Sequence, residues 1–142
     1  MKFRDIPQLP RAYYEVDVPW DGLEQHLDRW SPELNLDPDY QRSHVWTREQ
    51  QIAYIEYMLQ GGEVGRNLTF NAPNWTTRNA ETYKGLELVD GKQRLEAVRS
   101  FLRDEFPAFG HFYSEFEDKI SLTDRMFRFR VCSLKTREEI LQ

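Results

Sequence analysis

Five consecutive residues, Asp90-Gly91-Lys92-Gln93-Arg94, carry the densest chemistry in the sequence. They follow a strand-like apolar run, Leu86-Glu87-Leu88-Val89, and open a segment whose apolar residues recur at helical spacing. Lys92 and Arg94 therefore fall in the first turn of a helix, where the helix dipole disfavours each cation by roughly 0.3–1 kcal/mol. A helix start that serves only stability more often carries Glu there. Free first-turn amides, the positive end of the dipole and two cationic side chains together suit an anion such as phosphate. Two solvated cations on an ordinary capped helix would leave the same letters, so the stretch alone does not separate the two readings.

The elements that must position these residues can be read from the same chain. Leu95, Val98 and Leu102, with Ala97 and Phe101 beside them, define the buried face of the helix after Gly91. Asp90 is placed as its N-cap. Asp-Gly also closes two-residue hairpins, but the helical period after the glycine argues against one here. Upstream, Tyr14, Val16 and Val18 alternate with Glu15 and Asp17 as a half-buried strand. Asp21 with Glu24 resembles a capping box before the stripe Leu23, Leu27 and Trp30. Leu34-Asn35-Leu36 reads as a second short strand, and the stretch from Asp39 to Trp46 as a loop.

Thr47 and Gln50 form another capping box, for a helix from about Arg48 to Gln60 that stops at Gly61-Gly62. Trp46 is expected to pack as a staple on that helix. Asn67 to Asn71 is a strand, and Ala72 to Tyr83 is a hairpin excursion or loop in which Trp75 packs. The aromatic-dense segment from Phe106 to Phe116 folds back over the core. Phe127, Phe129 and Val131 alternate with Arg128 and Arg130, giving a strand with an arginine face. Those arginines either line the anion site or are solvated edge charges, the commoner case. Thr136 to Gln142 starts a helix too short to stand alone, which suggests a chain trimmed at its C-terminus. The order of elements predicts one α+β domain over residues 1–142.

Composition narrows the classes. Nineteen basic against 24 acidic side chains give a net charge of −5, which weighs against a stand-alone non-specific DNA binder. Cys132 is the only cysteine, so no disulfide framework or thiolate zinc site is expected. His26, His44 and His111 show no metal-type spacing. No signal peptide and no apolar run of membrane-spanning length is visible, so a cytoplasmic protein without a membrane partner is expected.

Two stretches, in order, resemble one family. Pro38-Asp39-Tyr40-Gln41-Arg42 with Val45-Trp46 looks like its proline-x-aromatic-Gln-Arg box followed by a Trp. Val89-Asp90-Gly91-Lys92-Gln93-Arg94-Leu95 looks like its V-D-G-Q-Q-R-L signature. The family is the N-terminal domain of GmrSD-type restriction enzymes, a branch of the ParB/sulfiredoxin-like fold, and the similarity runs from about Tyr14 to the end. It implies a small mixed sheet with flanking helices and a nucleotide-binding domain that serves a DNA restriction, defence or phage–host system.

Carried over by position, Asp90 and Gln93 are the catalytic candidates. Gln41, Arg42, Gly91, Lys92 and Arg94 are the nucleotide- and phosphate-binding candidates. Arg42 and Arg94 would offer planar forks to phosphate oxygens. Asp90 would hold Mg²⁺ or orient water, a role that needs the same carboxylate in the same place as an N-cap. Gln41 or Gln93 would position the attacking water. The implied ligand is a nucleoside triphosphate with Mg²⁺, hydrolysed in the enzymatic variant, and the implied partners are DNA or a nuclease domain. Lys92 departs from the more usual Gln. The HNH nuclease half is absent, so autonomous cleavage is not expected, and the family's N-x-G-G-T continuation lies beyond Gln142. Two alternatives stand beside this reading: a ParB-like DNA-binding or nuclease module, and a non-catalytic interaction or inhibitor module.

Overall fold

The computed structural model describes residues 1–7, 12–38, 45–75, 82–118 and 125–134. Apolar–polar alternation builds four strands, β1 (Ala12–Pro19), β2 (Asn67–Asn71), β3 (Glu87–Asp90) and β4 (Met126–Cys132). Helical spacing builds α1 (Leu23–Trp30), α2 (Arg48–Leu59) and α3 (Lys92–Leu102). The strands form one mixed sheet in the order β1-β4-β2-β3. β4 is antiparallel to β1 and parallel to β2, and β3 runs antiparallel to β2. This is the α+β architecture expected, a small mixed sheet with helices. Among the described residues no helix is long and apolar enough to cross a membrane.

One apolar cluster joins the sheet to the helices. Leu68, Phe70, Leu88, Phe127, Phe129 and Val131 project from one sheet face and are wholly buried. Against them lie Leu23, Leu27 and Trp30 of α1, Ile55 and Met58 of α2, and Leu95, Val98 and Phe101 of α3. Each large side chain so buried contributes about 1.5–3 kcal/mol. Phe106 and Tyr113 pack on Phe101 at ring separations of 6.0 and 5.9 Å, so the aromatic segment after α3 does cover the core. Trp75 is packed too, 5.2 Å from Tyr14 and 5.9 Å from Trp30. The buried Asn71 amide exchanges two hydrogen bonds with the backbone of Leu134, 2.9 and 2.8 Å long, and so fixes where the chain leaves β4.

The capping box of Thr47 and Gln50 is formed in both directions. Trp46 packs on Tyr54 at 5.4 Å, two residues further along α2 than a staple on Ile52 would reach. Four expectations are corrected. Asp21 and Glu24 make no capping box: Gly22 is the N-cap of α1 without a side-chain bond, and Glu24 instead pairs with Arg99 of α3 at 2.6 Å. Leu34–Leu36 is not a strand but a single bridge of Asn35 to Glu87, because the Asn35 side chain accepts from the Asp37 amide and turns the chain away. Asp90 is not the N-cap of α3. It remains paired with Thr69 in the sheet, and Gly91 takes the cap position with no side-chain bond. Arg128 and Arg130 are not edge charges, since β4 is an inner strand; they pair with Asp17 and Glu15 of β1. The helix start at Thr136 lies outside the described residues.

His26 of α1 sets one pH dependence. Its ring meets Trp30 and Phe129 edge-on at 4.9 and 5.1 Å, and its buried Nε2 has no partner among the described residues. Burial, with the charge of Arg29, holds its pKa below the ordinary 6.5. Above that pH the ring is neutral in both folded and unfolded chains and has no effect. As pH falls through it, the unfolded chain takes the proton first, so stability drops until the folded ring protonates as well. Urea unfolding at pH 7.5 and 5.5 will show this loss, and His26→Phe will show a smaller one over the same interval.

Candidate functional site

The corner between β3 and α3 depends on Gly91. Its φ is +106°, and a Cβ there would overlap the Leu68 side chain and lie 3.3 Å from the Asn67 carbonyl. Only glycine allows the last pair of β3 and the first turn of α3 to meet so close to β2. Three consecutive side chains then leave the turn in different directions. Lys92 forms an ion pair with Asp37. Gln93 Oε1 accepts from the Trp46 backbone N–H at 3.0 Å. Arg94 Nη2 donates to the Asn67 carbonyl at 2.8 Å and lies 3.5 Å from the Asp90 carboxylate.

Arg94 is held along its whole length. Its side chain is 23% exposed, and its buried Nε finds no acceptor among the described residues. A Cβ on Gly65 would lie 3.2 Å from its Cδ, so that glycine lets the loop after α2 lie against the stem. Tyr54 of α2 ties the same loop down: its hydroxyl donates to the Gly65 carbonyl at 2.8 Å. Burial raises the Tyr54 pKa, although the Arg94 charge opposes it, so the hydroxyl keeps its proton. One turn on, the Tyr57 hydroxyl accepts from the backbone N–H groups of Glu63 and Val64 at 3.2 and 3.0 Å.

The result is a pocket of about 460 Å³ between this loop, the α3 corner and the ends of β1, β2 and β4. Three guanidinium groups from three different elements line it, Arg66, Arg94 and Arg128, facing the carboxylates of Asp17, Glu63 and Asp90. Arg128 is paired with Asp17 at 3.0 Å and Arg94 more loosely with Asp90. Arg66 makes no ion pair among the described residues. The group is rich in phosphate-type donors that are already partly neutralised from within.

Of the residues singled out from sequence, Asp90 and Arg94 line this pocket and Gly91 makes the corner behind it. Lys92 and Gln93 point instead to Asp37 and Trp46. Gln41 and Arg42 lie outside the described residues. Arg66 and Asp17 were not anticipated. The signal for Asp17 was present: acidic residues at 15 and 17 match arginines at 128 and 130 in spacing, as cross-strand pairs require. Arg66 carried no such signal; it reaches the pocket because its carbonyl accepts the Arg128 amide at 2.8 Å where β2 begins beside β4. Among the described residues no cluster of three or more His, Cys, Asp or Glu could hold a metal by itself. A lone Asp90 fits only an ion such as Mg²⁺ that arrives with most of its ligands on phosphate and water.

A family model of the GmrSD restriction endonuclease N-terminal domain matches residues 25–140. No curated protein and no solved structure matches the chain.

Gly91→Ala is expected to destabilise the fold by about 3 kcal/mol, from the positive φ together with the collision with Leu68. Gly110, at φ +79° with open space around it, provides the comparison: Gly110→Ala should cost about 1 kcal/mol. Urea midpoints of the two variants measure both terms, and equal losses would show that the crowding at Gly91 relaxes freely.

Proposed function

The chain belongs to the family of GmrSD restriction endonuclease N-terminal domains, and from that premise we propose that its arginine pocket binds a nucleoside triphosphate and supports its hydrolysis, acting beside a nuclease domain on DNA. The observation that carries the reading is the convergence of Arg94, Arg66 and Arg128 on one cavity of about 460 Å³ beside the N-terminus of α3. A guanidinium is a fork of donors suited to phosphate oxygens, and the positive end of the α3 dipole lies nearby. Arg94 already bonds the Asn67 carbonyl through Nη2, however, and Arg128 must release Asp17. The Asp90–Arg94 stretch, which resembles the family's signature in sequence, lies at the same corner and supports the reading.

Arg94 is the anchor of this reading. Its stem is fixed by Tyr54 and Gly65 and its head by the Asn67 carbonyl, so it loses little freedom when it grips an anion. Asp90, 71% exposed and only loosely paired with Arg94, can orient a water or give one oxygen to a phosphate-bound Mg²⁺. Mg²⁺ bound there would neutralise charge on the phosphates. Gln93 Oε1 already accepts from Trp46, which fixes the side chain and leaves its NH₂ and one oxygen lone pair for a ligand. Duplex DNA is a poorer fit for this pocket, since its guanidinium groups are matched by as many carboxylates and the chain is acidic.

The test is thermal melting with each nucleoside triphosphate plus Mg²⁺, on the wild-type chain and on Arg94→Ala. At about a hundred times its Kd a ligand adds roughly 2.7 kcal/mol, a rise of roughly 8 °C for a domain of this size. The expected result is a rise with at least one nucleotide that Arg94→Ala abolishes. No rise with any nucleotide, or a rise that survives in Arg94→Ala, would sink the reading.

A further inference from the structure

Asp17 of β1 stands directly opposite Arg128 of β4 in the antiparallel register, and both line the arginine pocket. Arg128 grips it with two prongs, Nε to Oδ1 at 3.0 Å and Nη2 to Oδ2 at 3.5 Å. The pair is half exposed and also borders a smaller recess of about 200 Å³ on the outer face of the sheet. It therefore forms part of the wall of the pocket rather than an isolated surface contact. The hydrogen bond from Arg128 holds the Asp17 carboxyl below its ordinary value, and the positive charges of Arg128 and Arg66 add to that. Asp17 is thus charged at neutral pH and acts on two of the three pocket arginines.

A resident carboxylate in this position has a definite consequence. An incoming phosphate must take Arg128 from Asp17 and must also approach a fixed negative charge. A single phosphate that reaches one guanidinium gains little against that opposition. A chain of phosphates that spans Arg94, Arg66 and Arg128 also meets Glu63 and Asp90, but it sets three guanidinium groups rather than one against the charge of Asp17. The neighbouring pair, Glu15 with Arg130 at 3.1 Å, has the same chemistry one step along the same strands but does not line the larger pocket.

We propose that Asp17 is the specificity-setting residue of the arginine pocket, a built-in counter-ion on Arg128 that discriminates against single phosphates in favour of polyphosphate chains. This rests on the reading of the pocket as a polyphosphate site. Asp17 itself touches no reacting atom; it acts through Arg128. Because the pair is exposed the filter is graded, and its removal should change affinity roughly two- to fivefold.

The experiment titrates orthophosphate, inorganic triphosphate and the nucleoside triphosphates at low ionic strength, where exposed charges act most strongly. The chains are wild type, Asp17→Asn, Asp17→Glu and Glu15→Gln, each first shown by melting to be folded. Asp17→Asn should bind both inorganic anions roughly two- to fivefold tighter, with the larger proportional gain for orthophosphate. Asp17→Glu should behave as wild type. Glu15→Gln removes a charge that reaches Arg128 only at longer range, and should show a clearly smaller gain than Asp17→Asn. A merely structural role predicts the opposite sign, a looser Arg128 and weaker binding. Unchanged or weaker binding by Asp17→Asn, or an equal gain in Glu15→Gln, overturns the proposal. If wild type binds no nucleotide but Asp17→Asn gains inorganic triphosphate, the nucleotide reading fails and the role of Asp17 stands. If wild type binds nucleotide and Asp17→Asn gains nothing, the reverse holds, and no binding by any chain overturns both.

Discussion

Leu68 fills the space that any side chain at position 91 would need, and the arrangement of the pocket follows from that contact. Because the backbone at Gly91 passes directly over β2, the first turn of α3 starts close enough for Arg94 to reach the Asn67 carbonyl. That bond in turn places the guanidinium at the beginning of β2, where the parallel pairing with β4 has already brought Arg66 and Arg128 side by side. A corner one side chain wider would still permit a helix, but it would lift Arg94 away from the strand ends. Here backbone conformation, core packing and charge placement depend on the same missing Cβ.

The sheet order decides the electrostatics. Arg128 and Arg130 lie on the same side of an inner strand and are 49% and 38% exposed, so their mutual repulsion is relieved both by water and by carboxylates on a neighbouring strand. β1 supplies Glu15 and Asp17 in register with Arg130 and Arg128. On the other side β2 offers only neutral Asn67 and Thr69, so the charge of Arg128 is balanced from one side and its face toward the pocket stays available. Arg94 has a looser counter-ion in Asp90, and Arg66 makes no direct ion pair among the described residues, although the charge of Asp17 reaches it. The three arginines thus differ in how much a ligand must displace to reach them.

Much of this was legible in the sequence, and the failures have physical causes. The bounds Asn67 to Asn71 for β2 and the Thr47–Gln50 box for α2 depend on local chemistry alone, and both hold. The buried face of α3 follows from spacing: Leu95, Ala97, Val98 and Phe101 are buried as it requires, while Leu102, at the last turn, is only partly buried. Local chemistry misled where a distant residue claimed the same atoms. Glu24 could have closed a capping box, but Arg99 of α3 offers a charged partner at 2.6 Å. Asp90 could have capped α3, but its pairing with Thr69 keeps it in the sheet. Whether β4 lay at the edge or inside the sheet was a question of topology, which alternation along one strand does not contain.

The Asp90–Arg94 stretch shows why a string of adjacent letters does not by itself define a site. Successive residues on a helix point about 100° apart, so Lys92, Gln93 and Arg94 leave the first turn of α3 in different directions. The fold divides them accordingly. Arg94 turns to the pocket, while Lys92 and Gln93 grip Asp37 and Trp46, the described residues that flank the Gln41–Arg42 box on either side. The first turn of α3 is thereby bonded directly to Asp37 and Trp46, which lie on either side of residues 39–44. A motif can be compact in sequence because one turn of helix must serve two purposes at once, presenting a cation on one side and anchoring a distant part of the chain on the other. In this domain the second purpose accounts for two of the five letters, and the chemistry of the pocket is completed by Arg66, Arg128 and Asp17, which lie outside the motif.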